Sequence, residues 1–297
     1  MLKILSASDP LTIERLTVAI YGQPGIGKTT LAFTAESPLL LDFDHGAYRA
    51  TGRKDTVQVS AWADVTDITE ADLQPYKTVI VDTAGRALDV LGTDIIKRDA
   101  KMGRAGALTL QGYGRLKAEF SAWLKSLRNF GKDVVLIAHG TEQKNGDDTV
   151  MRLDVQGGSK DEIYKSADVM GWLYVYAQKR TLNFNPADAA YGKNPGNLPV
   201  FNVDPSDTTL LARIIADTKQ AINAKSVASQ SEFERVESLK AELAALDGPE
   251  QIQAKLNTMR DNNASPKDKA LLVATAKAQG FGINKTGQLY LLSEAAA

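Results

Sequence analysis

The sequence predicts an α/β fold with a mostly parallel central sheet flanked by helices, followed by a small, mainly helical C-terminal region. Short apolar runs alternate with longer segments of helical periodicity. The runs are continuously apolar rather than alternating, which is typical of parallel strands buried on both faces. The chain has 297 residues, 43% of them hydrophobic, which is enough for a sizeable core.

Five apolar runs predict the main strands. They are "VAIY" at 18–21, "PLLLDF" at 38–43, "TVIVD" at 78–82, "DVVLIAH" at 133–139 and "VMGWLYVY" at 169–176. Between the third and fourth runs, apolar residues recur every three or four positions from Leu110 to Leu127, which predicts an amphipathic helix. We expect residues 1–223 to form one nucleotide-binding core.

The chain changes character after Asn223. The run "AKSVASQS" at 224–231 is small and polar, which predicts a linker. Residues 232–297 carry two helical apolar stripes and end in the hairpin-like "GFGINKTGQLYLL". Basic and acidic residues are balanced in this region, so it is predicted to be a small helical domain and not a nucleic-acid-binding arm.

Composition excludes several classes of protein. The chain has no cysteine, which excludes disulfides, thiolate metal sites and cysteine nucleophiles. The net charge is -1, so any contact with nucleic acid must come from a local basic patch. No segment has about 18 consecutive apolar residues, and the amino terminus lacks the apolar core of a signal peptide. We therefore expect a cytoplasmic protein that makes no membrane contact.

The segment "YGQPGIGKTT", Tyr21–Thr30, has the spacing of a phosphate-binding loop, or P-loop, between a strand and a helix. Its glycines allow backbone N–H groups to converge on phosphate oxygens, Lys28 adds a positive charge, and the Thr29 hydroxyl suits Mg²⁺. The motif predicts ATP and Mg²⁺ as cofactors. The predicted binding residues are Gly22, Pro24, Gly25, Ile26, Gly27, Lys28, Thr29 and Thr30.

Asp82 lies at the carboxyl end of the run "TVIVD", where parallel sheets place their ligands. We predict that Asp82 and Thr29 form the magnesium site. The alternative is that Asp82 caps the helix that follows.

Two further polar residues follow strands and complete the predicted catalytic set with Lys28. Asp44 is the candidate general base for water; the alternative is a solvated loop acid. His139 ends "DVVLIAH" and is predicted to lie beside the γ-phosphate and report the nucleotide state. The alternative for His139 is a local hydrogen bond with no role in catalysis.

A basic segment, "IIKRDAKMGRAGALT", follows the third strand by one helix. Its positive residues are Lys97, Arg98, Lys101 and Arg104. Clustered cations next to glycines can follow the phosphate backbone of a single strand, so these four residues are candidates for binding DNA. The alternative is an ordinary solvated helix end.

The order of these parts resembles the core ATPase domain of the RecA recombinases: "LDFDHGA", "TVIVDTAGRALDVL", the basic segment, "VVLIAH" and "VQGGSKDEIYKSADVMGWLYV". Residues 15–222 more closely resemble phage-encoded nucleotide-binding proteins with a reduced RecA core, some of which anneal single-stranded DNA. The resemblance implies a RecA-like P-loop NTPase fold. It also implies that Asp44 activates water, where the RecA pattern usually has glutamate, and that His139 is the polar sensor.

The resemblance implies two DNA-binding loops, at about 97–106 and about 140–160. The basic residues of the second loop are Lys144, Arg152 and Lys160. It also implies a homo-oligomer or filament with ATP at subunit interfaces, where Lys179 and Arg180 would reach the phosphates of the neighbouring subunit. The implied setting is phage recombination in a bacterial host, with single-stranded DNA and a single-strand DNA-binding protein as partners.

Two functions remain open at this point. One is a DNA-stimulated, slow ATPase that binds single-stranded DNA and promotes annealing or strand pairing, and the basic segment favours it. The other is a RecA-like or AAA-type ATPase that loads or remodels a replication partner such as a helicase. The sequence shows no in-chain arginine-finger motif that would separate the two. A scaffold with an inactive nucleotide site is the third reading.

Overall fold

A computed structural model describes residues 5–6, 9–145, 148–155, 159–284 and 286–292. The chain divides into two compact units: one is residues 12–223, and the other combines residues 1–11 with residues 224–297.

The secondary structure of the larger unit alternates strands and helices. Its strands are β1 (Thr17–Gly22), β2 (Pro38–Asp42), β3 (Thr56–Gln58), β4 (Thr78–Asp82), β5 (Gly103–Arg104), β6 (Ala107–Leu108), β7 (Asp133–Asn145), β8 (Asp148–Leu153), β9 (Val169–Tyr176), β10 (Lys179–Asn183) and β11 (Phe201–Asn202). Its helices are α1 (Lys28–Ala32), α2 (Ala63–Thr66), α3 (Ala84–Arg98), α4 (Leu110–Asn129), α5 (Ser159–Ser166) and the first part of α6 (Leu210–Ala244). Short 3₁₀ turns cover Ala47–Arg49 and Ala100–Met102.

One sheet organises this unit, with strand order β11-β10-β9-β1-β7-β4-β2-β3 and with β8 paired to β7. The six strands from β9 to β3 along this order run parallel to one another, whereas β8, β10 and β11 pair in the antiparallel sense. Parallel strands end at the same edge of a sheet, so the loops after β1, β2, β4 and β7 meet there.

The central strands are buried on both faces, which explains why their sequences are continuously apolar. Alternate residues of β1 enter different cores: Ala19 and Tyr21 pack into one, Val18 and Ile20 into the other. The first core is covered by α3 and α4, and the second by α1 and the start of α6. This architecture confirms the predicted α/β fold with a mostly parallel sheet and flanking helices.

The predicted linker at 224–231 is helical in the structure, because α6 extends from Leu210 to Ala244. The sequence of that segment explains the difference: it is small and polar but contains neither glycine nor proline, and alanine, lysine and glutamine favour helices. Small polar composition therefore did not indicate a non-helical connection here.

The C-terminal unit contains the end of α6, helices α7 (Gly248–Asp261) and α8 (Pro266–Ala278), and an antiparallel hairpin of β12 (Phe281–Ile283) and β13 (Leu289–Leu291). It has its own small core of Leu243, Ile252, Met259, Leu272 and Ala276. Within the described part of the chain, no helix is both long and apolar enough to cross a membrane.

Candidate nucleotide-binding site

The P-loop lies at the carboxyl edge of the sheet, between β1 and α1. Register places its partners beside it: Gly22 is paired with His139 across β1 and β7, and Asp42 with Asp82 across β2 and β4. The carboxyl ends of the parallel strands meet at this edge, where α/β sheets bind ligands. The sheet therefore brings the predicted site residues of three strands to one place.

Two glycines of the P-loop are required by geometry. A β-carbon on Gly22 would lie 2.2 Å from the carbonyl oxygen of Leu173, a distance that no real side chain tolerates. Gly27 has φ of 101°, in the region that residues with a β-carbon rarely adopt. The loop can therefore pass close to β9 and turn directly into α1 only with glycine at both positions.

Lys28 is buried, with only 5% of its surface exposed. Its Nζ donates to the carbonyl oxygens of Gly22, at 3.0 Å, and Gln23, at 2.8 Å. Burial lowers the pKa of Lys28 to about 8, and the nearby carboxylates of Asp82 and Asp44 oppose that shift. A buried ammonium that no carboxylate among the described residues pairs directly is well placed to bind an anion.

Thr29 and Asp82 meet as the motif predicts. The Thr29 hydroxyl donates a 2.6 Å hydrogen bond to Oδ2 of Asp82. Burial raises the pKa of Asp82, and the bond from Thr29 partly offsets that effect. Asp82 does not cap the next helix, because the side chain of Thr83 accepts the bond from Arg86 N at the start of α3.

His139 lies between Lys28 and Asp44. Its Nε2 is 3.5 Å from Oδ2 of Asp44, and its Nδ1 is 3.5 Å from Nζ of Lys28. Arg86 also pairs with Asp44, with 3.3 Å between Nε and Oδ1. The interaction with His139 lowers the pKa of Asp44, and Arg86 acts in the same direction, so Asp44 is an ionised carboxylate near neutral pH.

Asp42, the acid that ends β2, has a different position. It is 1% exposed, and its carboxylate accepts bonds from the backbone N–H groups of Gly46, at 3.0 Å, and Ala47, at 2.9 Å. These bonds fix the turn that carries Asp44. The carboxylate of Asp42 is therefore hydrogen-bonded to the backbone, whereas the carboxylate of Asp44 contacts His139 and Arg86.

A cavity of about 450 Å³ joins these groups. Its lining residues are Pro24, Gly25, Gly27, Lys28, Thr29, Thr30, Asp44, Gly46, Arg49, Ala50, Thr51, Asp82, His139, Arg180 and Pro205. Of the predicted P-loop residues, Gly22 and Ile26 do not line the cavity. Sequence reasoning missed Arg49, which lines the cavity, and Arg86, which pairs with Asp44, because nothing in their local sequence marks either residue.

The expected reach of Lys179 and Arg180 to the phosphates of a neighbouring subunit stays a prediction. Arg180 lines the same cavity as Lys28 in its own chain, because the β9–β10 hairpin lies next to β1. Lys179 is exposed and lines a second cavity with Asn202 and Asp204, and Arg180 lines that cavity too. Arg180 therefore lines both cavities, whereas Lys179 does not line the cavity of Lys28.

The first predicted DNA loop is an ordered helix end and hairpin. Lys97 and Arg98 end α3, and Lys101 and Arg104 lie in the 3₁₀ turn and β5 that follow. Arg98 forms two ion pairs, one with Asp94 and one with Glu119, each at 2.6 Å.

The other three cations of that segment remain available. Lys97, Lys101 and Arg104 are exposed and form no ion pair with any described residue. Of the four predicted DNA contacts, the structure therefore leaves three without a carboxylate partner.

The second predicted DNA loop is mainly a β-hairpin of β7 and β8. Lys144 is exposed on it, whereas the guanidinium of Arg152 packs over the ring of Tyr191, 4.3 Å from its centroid. The side chain of Lys160 and the glycines at 157–158 lie outside the described residues.

The oxygen groups at the site fit Mg²⁺ together with phosphate. Mg²⁺ usually keeps one or two protein carboxylates and takes its other ligands from water and substrate phosphates. Asp82 and the Thr29 hydroxyl are such a pair, 2.6 Å apart. Among the described residues, no cluster of three His, Cys, Asp or Glu side chains would bind a metal without a nucleotide.

The sequence matches the AAA domain family over residues 14–195, which is more than half of the chain. No curated protein matches it. The matched region contains β1, the P-loop, Asp44, Asp82 and His139, in the order described above. The chain belongs to the AAA domain family of P-loop NTPases.

Proposed function

We propose that this chain is a Mg²⁺-dependent ATPase. One observation carries the proposal: Lys28, Thr29, Asp82, Asp44 and His139, from the P-loop and three strands, line a single cavity of about 450 Å³. A cavity lined by both a buried cation and carboxylates suits a triphosphate and a hydrolytic water.

Each of these five residues has its own role in ATP hydrolysis. Lys28 and the P-loop N–H groups bind the phosphates, and Thr29 with Asp82 would hold Mg²⁺, which neutralises charge on the phosphate oxygens. Asp44 orients the attacking water and accepts its proton, and His139 positions the Asp44 carboxylate. The oxygen of water bonds to the γ-phosphorus, the bond to the β–γ bridging oxygen breaks, and ADP, phosphate and a proton leave.

The test is phosphate release from ATP by the full chain, with Mg²⁺ and with excess chelator, alongside Lys28→Ala. We expect release that needs Mg²⁺ and is lost in the variant. ATP binding without hydrolysis by the unmodified chain under all conditions would instead support a scaffold with an inactive nucleotide site.

A second candidate function is binding and annealing of single-stranded DNA, as in phage recombination. It is favoured by Lys97, Lys101 and Arg104, which are exposed and without carboxylate partners within the described residues. A homo-oligomer would repeat this basic segment along a strand, and a single-strand DNA-binding protein could be displaced in the process. Salt-dependent DNA binding in the presence of an ATP analogue supports this function, whereas no DNA binding in any nucleotide state supports loading or remodelling of a protein partner.

A further inference from the structure

A group of cations lies at the amino edge of the sheet, opposite the P-loop. Lys77 and Lys132 come directly before β4 and β7, and Arg15 lies two residues before β1. These three strands are parallel neighbours in the order β1-β7-β4, so their amino ends meet at one edge. Lys125 and Arg128, near the end of α4, line a cavity together with Arg15. We call Arg15, Lys77, Lys125, Arg128 and Lys132 the amino-edge cluster.

The cavity that three members of the cluster line has a volume of about 430 Å³. Arg15, Lys125 and Arg128 supply its positive charge, Asn129 adds an amide, and Glu14 is the one carboxylate among its lining residues. It shares no lining residue with the cavity of the P-loop. The described residues therefore form a second cavity rich in cations, at the edge of the sheet opposite the ATP site.

The guanidinium of Arg15 has too few acceptors. Its Nε is buried and has no hydrogen-bond partner among the described residues, and its Nη1 donates to the carbonyl oxygen of Glu14, at 2.9 Å. The group packs against Gly131, where a β-carbon would lie 3.3 Å from Nη2. A guanidinium has five N–H donors, and buried N–H groups are nearly always paired. Arg15 is thus a charged donor beside a cavity, with most of its donors unused by the described residues.

The cluster carries more positive charge than the described carboxylates around it neutralise. Arg128 pairs with Asp168, at 3.3 Å, whereas the other four members form no ion pair with any described residue. Burial lowers the pKa of Lys132, and the positive charges of Lys77 and Arg15 lower it further, with partial opposition from one carboxylate. Like charges therefore repel one another within the cluster, and a bound anion would relieve that repulsion.

The end of α4 explains only part of the cluster. A cation in the last turn of a helix interacts favourably with the helix dipole, which accounts for Arg128. Arg15, Lys77 and Lys132 precede strands instead. The helix dipole therefore does not account for their position.

We propose that the amino-edge cluster is a second anion site, which binds a phosphate group in the cavity beside Arg15. Arginine suits phosphate because its planar group donates two parallel N–H bonds, and a cluster of cations favours compounds with several phosphate charges over a single carboxylate. The phosphate can belong to a free compound such as pyrophosphate or to a nucleic-acid backbone, since both present the same oxygens. The site is independent of the proposed ATPase function, because the two cavities share no lining residue.

The first test is isothermal titration of inorganic pyrophosphate into full chains that all carry Lys28→Ala, which weakens binding at the P-loop. Because charge-assisted bonds from arginine are strong, adding Arg15→Ala to this parent should raise the dissociation constant about tenfold or more. Adding Lys125→Ala, which removes an exposed charge, should raise it about two- to fivefold. Adding Lys117→Ala is the matched control: it removes a lysine of α4 that does not line the cavity and should leave the dissociation constant unchanged.

The second test identifies the source of the phosphate. A labelled single-stranded oligonucleotide of mixed sequence is titrated with the same chains and followed by fluorescence anisotropy. If Arg15→Ala weakens oligonucleotide binding, the phosphate belongs to a nucleic-acid backbone. If oligonucleotide binding is unchanged, the site binds a free phosphate compound.

Two results would overturn the inference: no binding of pyrophosphate to the parent, or a dissociation constant that Arg15→Ala and Lys125→Ala raise no more than Lys117→Ala does. Circular dichroism melting separates misfolding from lost binding. If Arg15→Ala does not fold, the comparison of Lys125→Ala with Lys117→Ala decides, because Lys125 is exposed and forms no ion pair with any described residue. ATP hydrolysis by the unmodified chain tests the ATPase proposal separately, and its failure would leave this site in place.

Discussion

The Thr29 hydroxyl donates a 2.6 Å hydrogen bond to the carboxylate of Asp82, which joins the P-loop to the end of β4. The bond brings together the two protein oxygens that suit Mg²⁺, from residues that are far apart in the chain. The order of the strands explains the contact. β1 and β4 pair with opposite sides of β7, so only that strand separates their carboxyl ends.

Replacing Asp82 by asparagine should remove the stimulation of ATP hydrolysis by Mg²⁺. Because metal charge contributes several kcal/mol to stabilising the transition state, we expect Asp82→Asn to lose at least about 100-fold in ATP hydrolysis. ATP binding measured in chelator should be unchanged, since Lys28 and the P-loop remain. A variant with the Mg²⁺ dependence of the unmodified chain would remove Asp82 from the magnesium site.

Asp44→Asn should slow ATP hydrolysis without weakening ATP binding. The amide cannot accept the proton of water, so hydrolysis should fall about 100-fold, the contribution of a general base. ATP affinity, measured by isothermal titration with Mg²⁺, should change little. Unchanged turnover would assign the base elsewhere.

Asp42→Ala should instead affect folding. The buried Asp42 carboxylate accepts two backbone N–H bonds, and their loss should lower the free energy of unfolding by about 1–3 kcal/mol. Denaturant unfolding measures this change, with Asp44→Asn as the matched acid variant. Equal destabilisation by the two variants would contradict the different roles assigned to these neighbouring acids.

ATP affinity should depend on the protonation of Lys28. Its pKa of about 8 in the free protein lies below the ordinary value for lysine, so the ammonium loses its proton as pH rises past 8. A bound triphosphate favours the charged form, and binding above that pH must take up a proton. The dissociation constant should therefore rise by up to about tenfold per pH unit above 8 and stay flat just below it. A flat profile through pH 9.5 would show that burial does not lower this pKa.

The basic segment gives a salt-dependent prediction. Each phosphate contact on a single strand contributes about 0.7 to the slope of log affinity against log salt, so Lys101→Ala with Arg104→Ala should reduce the slope by up to about 1.4. Lys267→Ala with Lys269→Ala removes the same charge from α8 and is the control. Fluorescence anisotropy with an oligonucleotide and an ATP analogue measures both slopes. Equal slopes for the two double variants would exclude the segment from DNA binding.

Much of the fold was predictable because the central strands are buried on both faces and therefore carry continuous apolar runs. The predicted run "TVIVD" corresponds to β4 without a change of boundary. The P-loop was predictable because its spacing is a local property of the chain. The placement of Asp82 and His139 followed from the rule that parallel strands end at one edge.

The contacts that sequence reasoning missed are non-local. The Arg86–Asp44 ion pair and the packing of Arg180 on Gly27 depend on which strands become neighbours, and local sequence does not encode strand order. The resemblance to RecA proteins implies that Arg180 reaches a neighbouring subunit, and that placement stays a prediction. The roles of Asp44 and His139 in catalysis remain predictions.

The most direct measurement of the central claim is steady-state phosphate release from ATP by the Lys28→Ala variant and the unmodified chain, with Mg²⁺ in excess. Lys28 is the buried cation of the P-loop, and loss of one preorganised group of this kind costs at least about 100-fold in kcat. An ATPase that uses this cavity should show Mg²⁺-dependent release that falls by that factor or more in the variant, with an unchanged circular dichroism melt. Release by a folded Lys28→Ala variant at the rate of the unmodified chain would contradict the assignment of this cavity as the site of ATP hydrolysis.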